Sequence, residues 1–292
     1  MKHKMRRRTA LCTAAQPRVL NEDCEDDAAS TATPTEATVT AAASFDFSSQ
    51  YEWDHFYQQQ QEEQNENQHR TNEAAAVAAP VVDRITEWHN SIPVTSIAAL
   101  VQPSDTTCLL PGCGLSALPQ AILNHNHKTT QQLQRLVLLD SSPICIKQLQ
   151  TLYGHSSTVE YLCGDATKLS QLIRTTEEEK EDDDTERSTQ FDLIIDKGFM
   201  DAILCGEGWD GILTTWFHEV ALVLRESGVA RYILISYPLP KSTQAFLREI
   251  GNEMGLDWDF DIELVNNSSS SSSSSSSTIR RRASVSVGTK IK

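Results

Sequence analysis

Hydrophobic positions fall into two regimes along the chain. Before residue 80 they follow no sustained helical or strand period. From Val81 onward, short apolar runs alternate with amphipathic stretches. The runs "TTCLLPGCG", "LQRLVLLD", "VEYLCGDA", "FDLIIDKG" and "ARYILISY" are short and apolar, and most close on Gly or Asp, as buried strands do. Helix patterns separate them. "SALPQAIL" opens one, with Ser116 as cap and Pro119 in its first turn. "SPICIKQLQTLYG" is a second, stopped by Gly154. "GILTTWFHEVALVLRESG" sets Ile212, Leu213, Trp216, Phe217, Val220 and Leu224 at helical spacing before Gly228. "ITEWHNSIPVTSIAAL" also has roughly helical spacing. Repeated strand–helix units with continuously apolar strands predict a parallel sheet covered on both faces. Near the end the period changes to two: Trp258, Phe260, Ile262 and Leu264 alternate with acids. That is a half-exposed antiparallel strand, with "RASVSVGTKI" as its candidate hairpin partner. The fold class expected is therefore α/β: a seven-stranded, mostly parallel sheet, helices on both faces, and a C-terminal antiparallel hairpin.

Composition divides the chain further. It has 292 residues, a net charge of −15 and 39% hydrophobic residues, low for a wholly globular chain. Residues 1–50 read as a disordered tail, rich in Ala, Thr, Ser and acids. Its basic start, "MKHKMRRRTALCTAAQPRVL", has a mitochondrial presequence as its alternative reading. The expected location is accordingly cytoplasmic, with a mitochondrial alternative. Residues 51–57 carry four aromatics, Tyr51, Trp53, Phe56 and Tyr57, out of keeping with disorder. Residues 58–80 read as a polar insertion and 81–265 as the folded domain. Within it, 175–189 is a solvated acidic loop or a lure for a basic substrate. Residues 266–278, with ten serines from Ser268 to Ser277, are a flexible loop, and 279–292 a candidate last strand. "RRRASVS" also carries an Arg-Arg-x-Ser kinase pattern at Ser284, where the strand role is preferred. The acidic balance argues against a nucleic-acid partner, and no apolar run is long enough to span a bilayer, which reads as no membrane partner. Seven scattered cysteines without a C-x-x-C pair read as free thiols, with no metal site.

Chemistry gathers at the carboxyl ends of the strands, where ligands bind in open α/β sheets. The first strand delivers Gly112 and Gly114, which let backbone amides approach a ligand. The second ends in Asp140, placed to accept two ribose hydroxyls or, taken alone, to cap the next helix. The third ends in Asp165-Ala166, placed to meet an adenine. The fourth ends in Asp196-Lys197-Gly198. The spacing from Gly114 to Asp140 suits one helix plus one strand.

These residues resemble a family. "CLLPGCGLSAL", "LVLLDSSP", "VEYLCGDATKL" and "FDLIIDKGFMDAIL" look like the successive motifs of class I S-adenosylmethionine-dependent methyltransferases, which have a Rossmann-like fold. "DKGFMDA" is similar to the D-K-G-T-x-D-A signature of a subgroup that includes the lysine methyltransferases of elongation factor 1A and citrate synthase. "WDHFY" resembles the W-D-x-x-Y segment before its core. The resemblance implies S-adenosyl-L-methionine as cofactor and a protein lysine as acceptor, with elongation factor 1A a candidate partner. It implies that Gly112 and Gly114 line the methionine end, that Asp140 and Ser141 flank the ribose, and that Asp165 and Ala166 frame the adenine. It sets Lys197 at the cofactor's edge, Asp196 at the mouth, and Trp53, Tyr57 and Trp88 over the cofactor as a lid. Aromatic faces attract a sulfonium, which agrees with that lid. Asp196 is the candidate for orienting a substrate amine. Leu115 and Phe199 depart from the subgroup's Asn and Thr. A small-molecule methyltransferase and a non-catalytic binding member of the fold are the alternatives.

Overall fold

A computed structural model describes residues 46, 49–72, 87–129, 133–154, 156–178, 189–226, 228–262 and 283–291. Most of the expected tail, the end of the polar insertion, most of the acidic loop and the serine run lie outside the described residues.

Five apolar segments form the parallel strands β1 (Thr107–Pro111), β2 (Arg135–Asp140), β3 (Val159–Cys163), β4 (Leu193–Lys197) and β5 (Arg231–Ser236). They are followed by β6 (Leu256–Ile262) and β7 (Ser284–Lys290). The seven strands make one sheet in the order β3-β2-β1-β4-β5-β7-β6. β1 through β5 pair in parallel, while β7 runs antiparallel to both β5 and β6. The winding therefore reverses between β1 and β4.

Every residue of β1 and β2 is buried, because both faces of the sheet are covered. Alternate residues enter two cores. Leu109, Val137, Ile194 and Leu234 pack with Trp216, Phe217 and Val220 of α7 (Trp209–Val223) and Leu247 of α8 (Lys241–Glu253). Leu110, Leu138, Ile195 and Ile235 pack on the other face with Ile97 of α2 (Val94–Ala98), Ile122 of α3 (Leu118–Thr129) and Leu149 of α4 (Pro143–Tyr153). Tyr57, from α1 (Gln50–Asn72), joins this second core. Two short helices, α5 (Leu169–Glu178) and α6 (Phe199–Leu204), follow β3 and β4.

Two expectations are corrected. The aromatic segment packs on the second core, but it and the first part of the expected polar insertion form one continuous helix to Asn72 rather than two separate segments. Gln and Glu are good helix formers, and no Gly or Pro interrupts the run. Among the described residues of "ITEWHNSIPVTSIAAL", helix begins at Val94, after Pro93; Trp88 to Ile92 form a turn with His89 at φ 56°. The alternation in β6 is as its sequence reads: Leu256 and Trp258 are buried, Asp257 and Asp259 exposed. Trp258 fits against glycines: a Cβ would lie 2.6 Å from its indole at Gly251 and 3.3 Å at Gly288.

Candidate functional site

β1 leads into a turn that only glycine suits. Gly112 and Gly114 have φ of 51° and 52°. A Cβ on Gly112 would fall 2.6 Å from the Phe199 ring, and one on Gly114 would fall 3.2 Å from the Tyr57 hydroxyl. The turn thus runs directly beneath side chains of α1 and α6. Around it, the ends of β2, β3 and β4 and the first turns of α1 enclose a cavity of about 470 Å³. Its wall brings together Trp53, Tyr57, Trp88, Gly112, Gly114, Asp140, Ser141, Asp165, Ala166 and Lys197.

Asp140 is buried, and burial pushes its carboxyl pKa up. Its two oxygens accept from Gly114 N and Ser142 N, each at 3.0 Å. A carboxylate has about four acceptor sites, so it retains capacity for a ligand. The cap of α4 is Ser142, whose Oγ accepts from Cys145 N at 3.2 Å and donates to Asp54 Oδ1 at 2.5 Å. Asp165 sits at the exposed rim, where its Oδ1 accepts from Thr167 N and Oγ1 at 2.9 and 2.7 Å. Behind it, Ala166 is buried.

Lys197 closes β4. Its Nζ donates to Glu87 Oε2 at 2.5 Å, and only 7% of its side chain is exposed. Burial lowers its ammonium pKa, with the Glu87 carboxylate opposing. Glu87 also accepts from Ala117 N at 2.6 Å and Ser116 Oγ at 3.1 Å. The next residue, Trp88, lines the cavity, and His89 places Nε2 2.6 Å from Asp201 Oδ2 of α6. Three consecutive residues therefore reach the glycine turn with β4, the cavity, and α6. Above them Trp53 stacks on Tyr57 at 6.0 Å and contacts Trp88 at 6.2 Å between ring centroids.

Asp196 requires a correction. It is 0% exposed and does not line the cavity. Its carboxylate accepts from Phe199 N at 2.9 Å, Met200 N at 3.1 Å and the Tyr232 hydroxyl at 2.5 Å. Along a strand successive side chains point to opposite faces, so Asp196 turns into the core beneath α6 while Lys197 takes the other direction. Burial raises its pKa to about 7. It holds the start of α6 and is closed off from the cavity wall, not at its mouth as expected.

Glu87 and Ser142 escape the sequence reading, and Asp54 enters it only as part of the "WDHFY" segment, with no partner assigned. The chain has 40 acidic residues, and nothing local singles out Glu87. The Ser-Pro pair at 142–143 is a usable cap signal, since Pro favours the first helical position.

No family model and no characterised protein sequence matches the chain. Solved structures do resemble it in fold. A Haloferax volcanii complex of the Trm112 methyltransferase activator and a putative methyltransferase matches with 15% identity and TM-score 0.44, covering 70% of this chain and 91% of that one. The plantazolicin methyltransferase BamL, solved with a substrate analogue and SAH, matches with 13% identity and TM-score 0.46, covering 70% and 86%. Aeropyrum pernix fibrillarin with natively bound S-adenosyl-L-methionine matches with 10% identity and TM-score 0.41, covering 66% and 73%. At identities this low, substrate and chemistry are left to the chain's own residues.

Proposed function

We propose that the chain is an S-adenosylmethionine-dependent methyltransferase whose acceptor is a lysine amine of a protein. One observation carries the cofactor reading: the glycine turn, Asp140, the Asp165-Ala166 pair and an aromatic lid all face one cavity at the point where the strand order reverses. The residues fit the cofactor. A cavity of about 470 Å³ suits a ligand of that size. Asp140 keeps acceptor capacity for a ribose diol, and Lys197 is a buried ammonium with donors to spare. When bound, the cofactor supplies a methyl group on a sulfonium, with a good leaving group built in.

The chain's part is to bind, align and exclude water. The glycine turn offers backbone amides. Asp140 fixes the sugar and so the reach of the reacting end. Trp53 and Trp88 present aromatic faces to the sulfonium, each contact worth roughly 0.5–2 kcal/mol. Phe199, Ile203 and Ile212 give the cavity apolar wall. An amine of pKa about 10.4 must lose its proton before it attacks, and apolar surroundings favour the neutral form. That wall and the likeness of "DKGFMDA" to the lysine-directed signature support the acceptor; elongation factor 1A is a candidate substrate.

The test is incubation with cell lysate and methyl-labelled cofactor. Label in a protein band, recovered after hydrolysis as methyl-lysine, is expected. Label confined to the small-molecule fraction would replace the acceptor. Cofactor binding without any transfer would favour a non-catalytic binding role.

A further inference from the structure

We propose that His89 and Asp201 are positioning residues for methyl transfer, a buried clasp that holds Trp88 over the reacting end of the cofactor. This rests on the cofactor reading above and gives a role to two residues which that reading leaves without one.

Backbone carries the first argument. Trp88 to Ile92 form a turn, and His89 within it has φ 56°, the one non-glycine at positive φ among the described residues. That conformation is uncommon for a residue with a Cβ and persists where its surroundings hold it. Here the hold is specific. The His89 side chain is wholly buried, its Nε2 lies 2.6 Å from Asp201 Oδ2, and its ring meets Tyr237 edge-on at 4.6 Å. The same Oδ2 accepts from Tyr237 N at 3.3 Å. One carboxylate thus ties together the turn, α6 and the segment after β5.

An unmet atom carries the second. His89 Nδ1 is buried and has no partner among the described residues. Leaving a buried polar atom unmet is costly in free energy. A side chain placed for packing alone would carry neither that cost nor the backbone strain. Their coincidence at one residue fits a position held for function.

Position carries the third. Gly198 lines the cavity at the end of β4, and a Cβ there would stand 3.5 Å from both His89 Nε2 and Trp88 Cβ. The turn therefore rests against the cavity's own wall. Trp88 is fixed from both sides: Glu87 before it accepts from Lys197 Nζ and Ala117 N, and His89 after it is held by Asp201. The indole lines the cavity and meets Trp53 at 6.2 Å between ring centroids. With the His89 side released, the backbone that carries the indole is anchored on one side only. The attraction of an aromatic face for a cation depends on that placement.

The experiment compares two ligands by calorimetry on the full chain. S-adenosylmethionine carries a sulfonium; S-adenosylhomocysteine has a neutral thioether in its place. An aromatic wall favours the cation. Trp88→Leu and His89→Phe should each weaken S-adenosylmethionine about fivefold, while S-adenosylhomocysteine binds nearly as to wild type. In the Trp88→Leu background, His89→Phe should lower that preference no further, because the clasp acts through Trp88. Where His89→Phe is poorly folded, Asp201→Ala decides, since it removes the other half of the clasp and Ala suits a helix. Equal weakening of both ligands would mean that the pair only holds the fold. A preference that His89→Phe leaves unchanged, or lowers equally with and without Trp88, would mean that the pair does not place the indole. A preference that Trp88→Leu leaves unchanged would take the indole away from the sulfonium. Each of these overturns the clasp. Wild-type protein that binds neither ligand would instead overturn the cofactor reading itself.

Discussion

Gly112 carries two constraints: a left-handed φ of 51° and a Phe199 ring atom 2.6 Å from where a Cβ would stand. Gly112→Ala should therefore lower stability by about 1–3 kcal/mol. Phe199→Ala in the same chain should recover part of that loss in a urea titration, since it removes the clash but not the strain. Asp196 makes a pH prediction. Its pKa rises from an ordinary 3.8 to about 7 because the folded carboxyl is buried. The folded state then holds the proton more tightly than the unfolded chain. The stability it contributes is complete below pH 3.8 and is lost as pH rises through about 7. Asp196→Asn should flatten the fall in the urea midpoint between those limits; an unchanged slope would remove Asp196 as its source. These residues also mark what a sequence can and cannot tell. Gly112, Asp140 and Asp165 are legible because strand ends and turn chemistry name them. Asp196 is not, because a carboxylate at a strand end looks the same whether it faces ligand or caps the next helix. Only the side on which the residue falls separates the two.

At the scale of elements, α1 is the least expected part. Its aromatic face enters a core, while its continuation carries only polar residues. Trp53, Asp54 and Tyr57 fall on one face, as residues three and four apart do. Tyr57 fills the space over Gly114, and Asp54 accepts from Ser142 at the start of α4. Deleting residues 1–57 should weaken cofactor binding by about tenfold or more, whereas deleting 1–45 should change it little. Equal affinity in both truncations would show that the helix is not a lid. The helical state of α1 is hard to read from sequence because polyglutamine-like composition also suits a solvated loop. The β6–β7 hairpin is legible for the opposite reason: period-two alternation of apolar and acidic residues suits a half-exposed strand and little else. Gly251→Val should disturb its packing on α8, because a Cβ there would stand 2.6 Å from the Trp258 indole, and the change should appear as lost near-ultraviolet Trp signal.

The whole molecule is organised by its strand order. Reversal between β1 and β4 opens the crevice, and four strand ends line it with glycines, carboxylates and an ammonium. The alternation of strands and helices makes this layout legible, since right-handed crossovers leave few arrangements. The acceptor is less so, because it depends on side chains from segments far apart in the chain. If a lysine amine attacks and chemistry limits the rate, turnover should rise about tenfold per pH unit below the amine's pKa; a flat profile would point to another acceptor or a slow release step. The decisive measurement is a calorimetric titration of S-adenosylhomocysteine into the full chain and into Asp140→Ala. Saturable binding at one site per chain is expected, weakened about a hundredfold or more in the variant. No saturable heat in the wild type, or equal affinity in the two proteins, would contradict a cofactor site at the glycine turn.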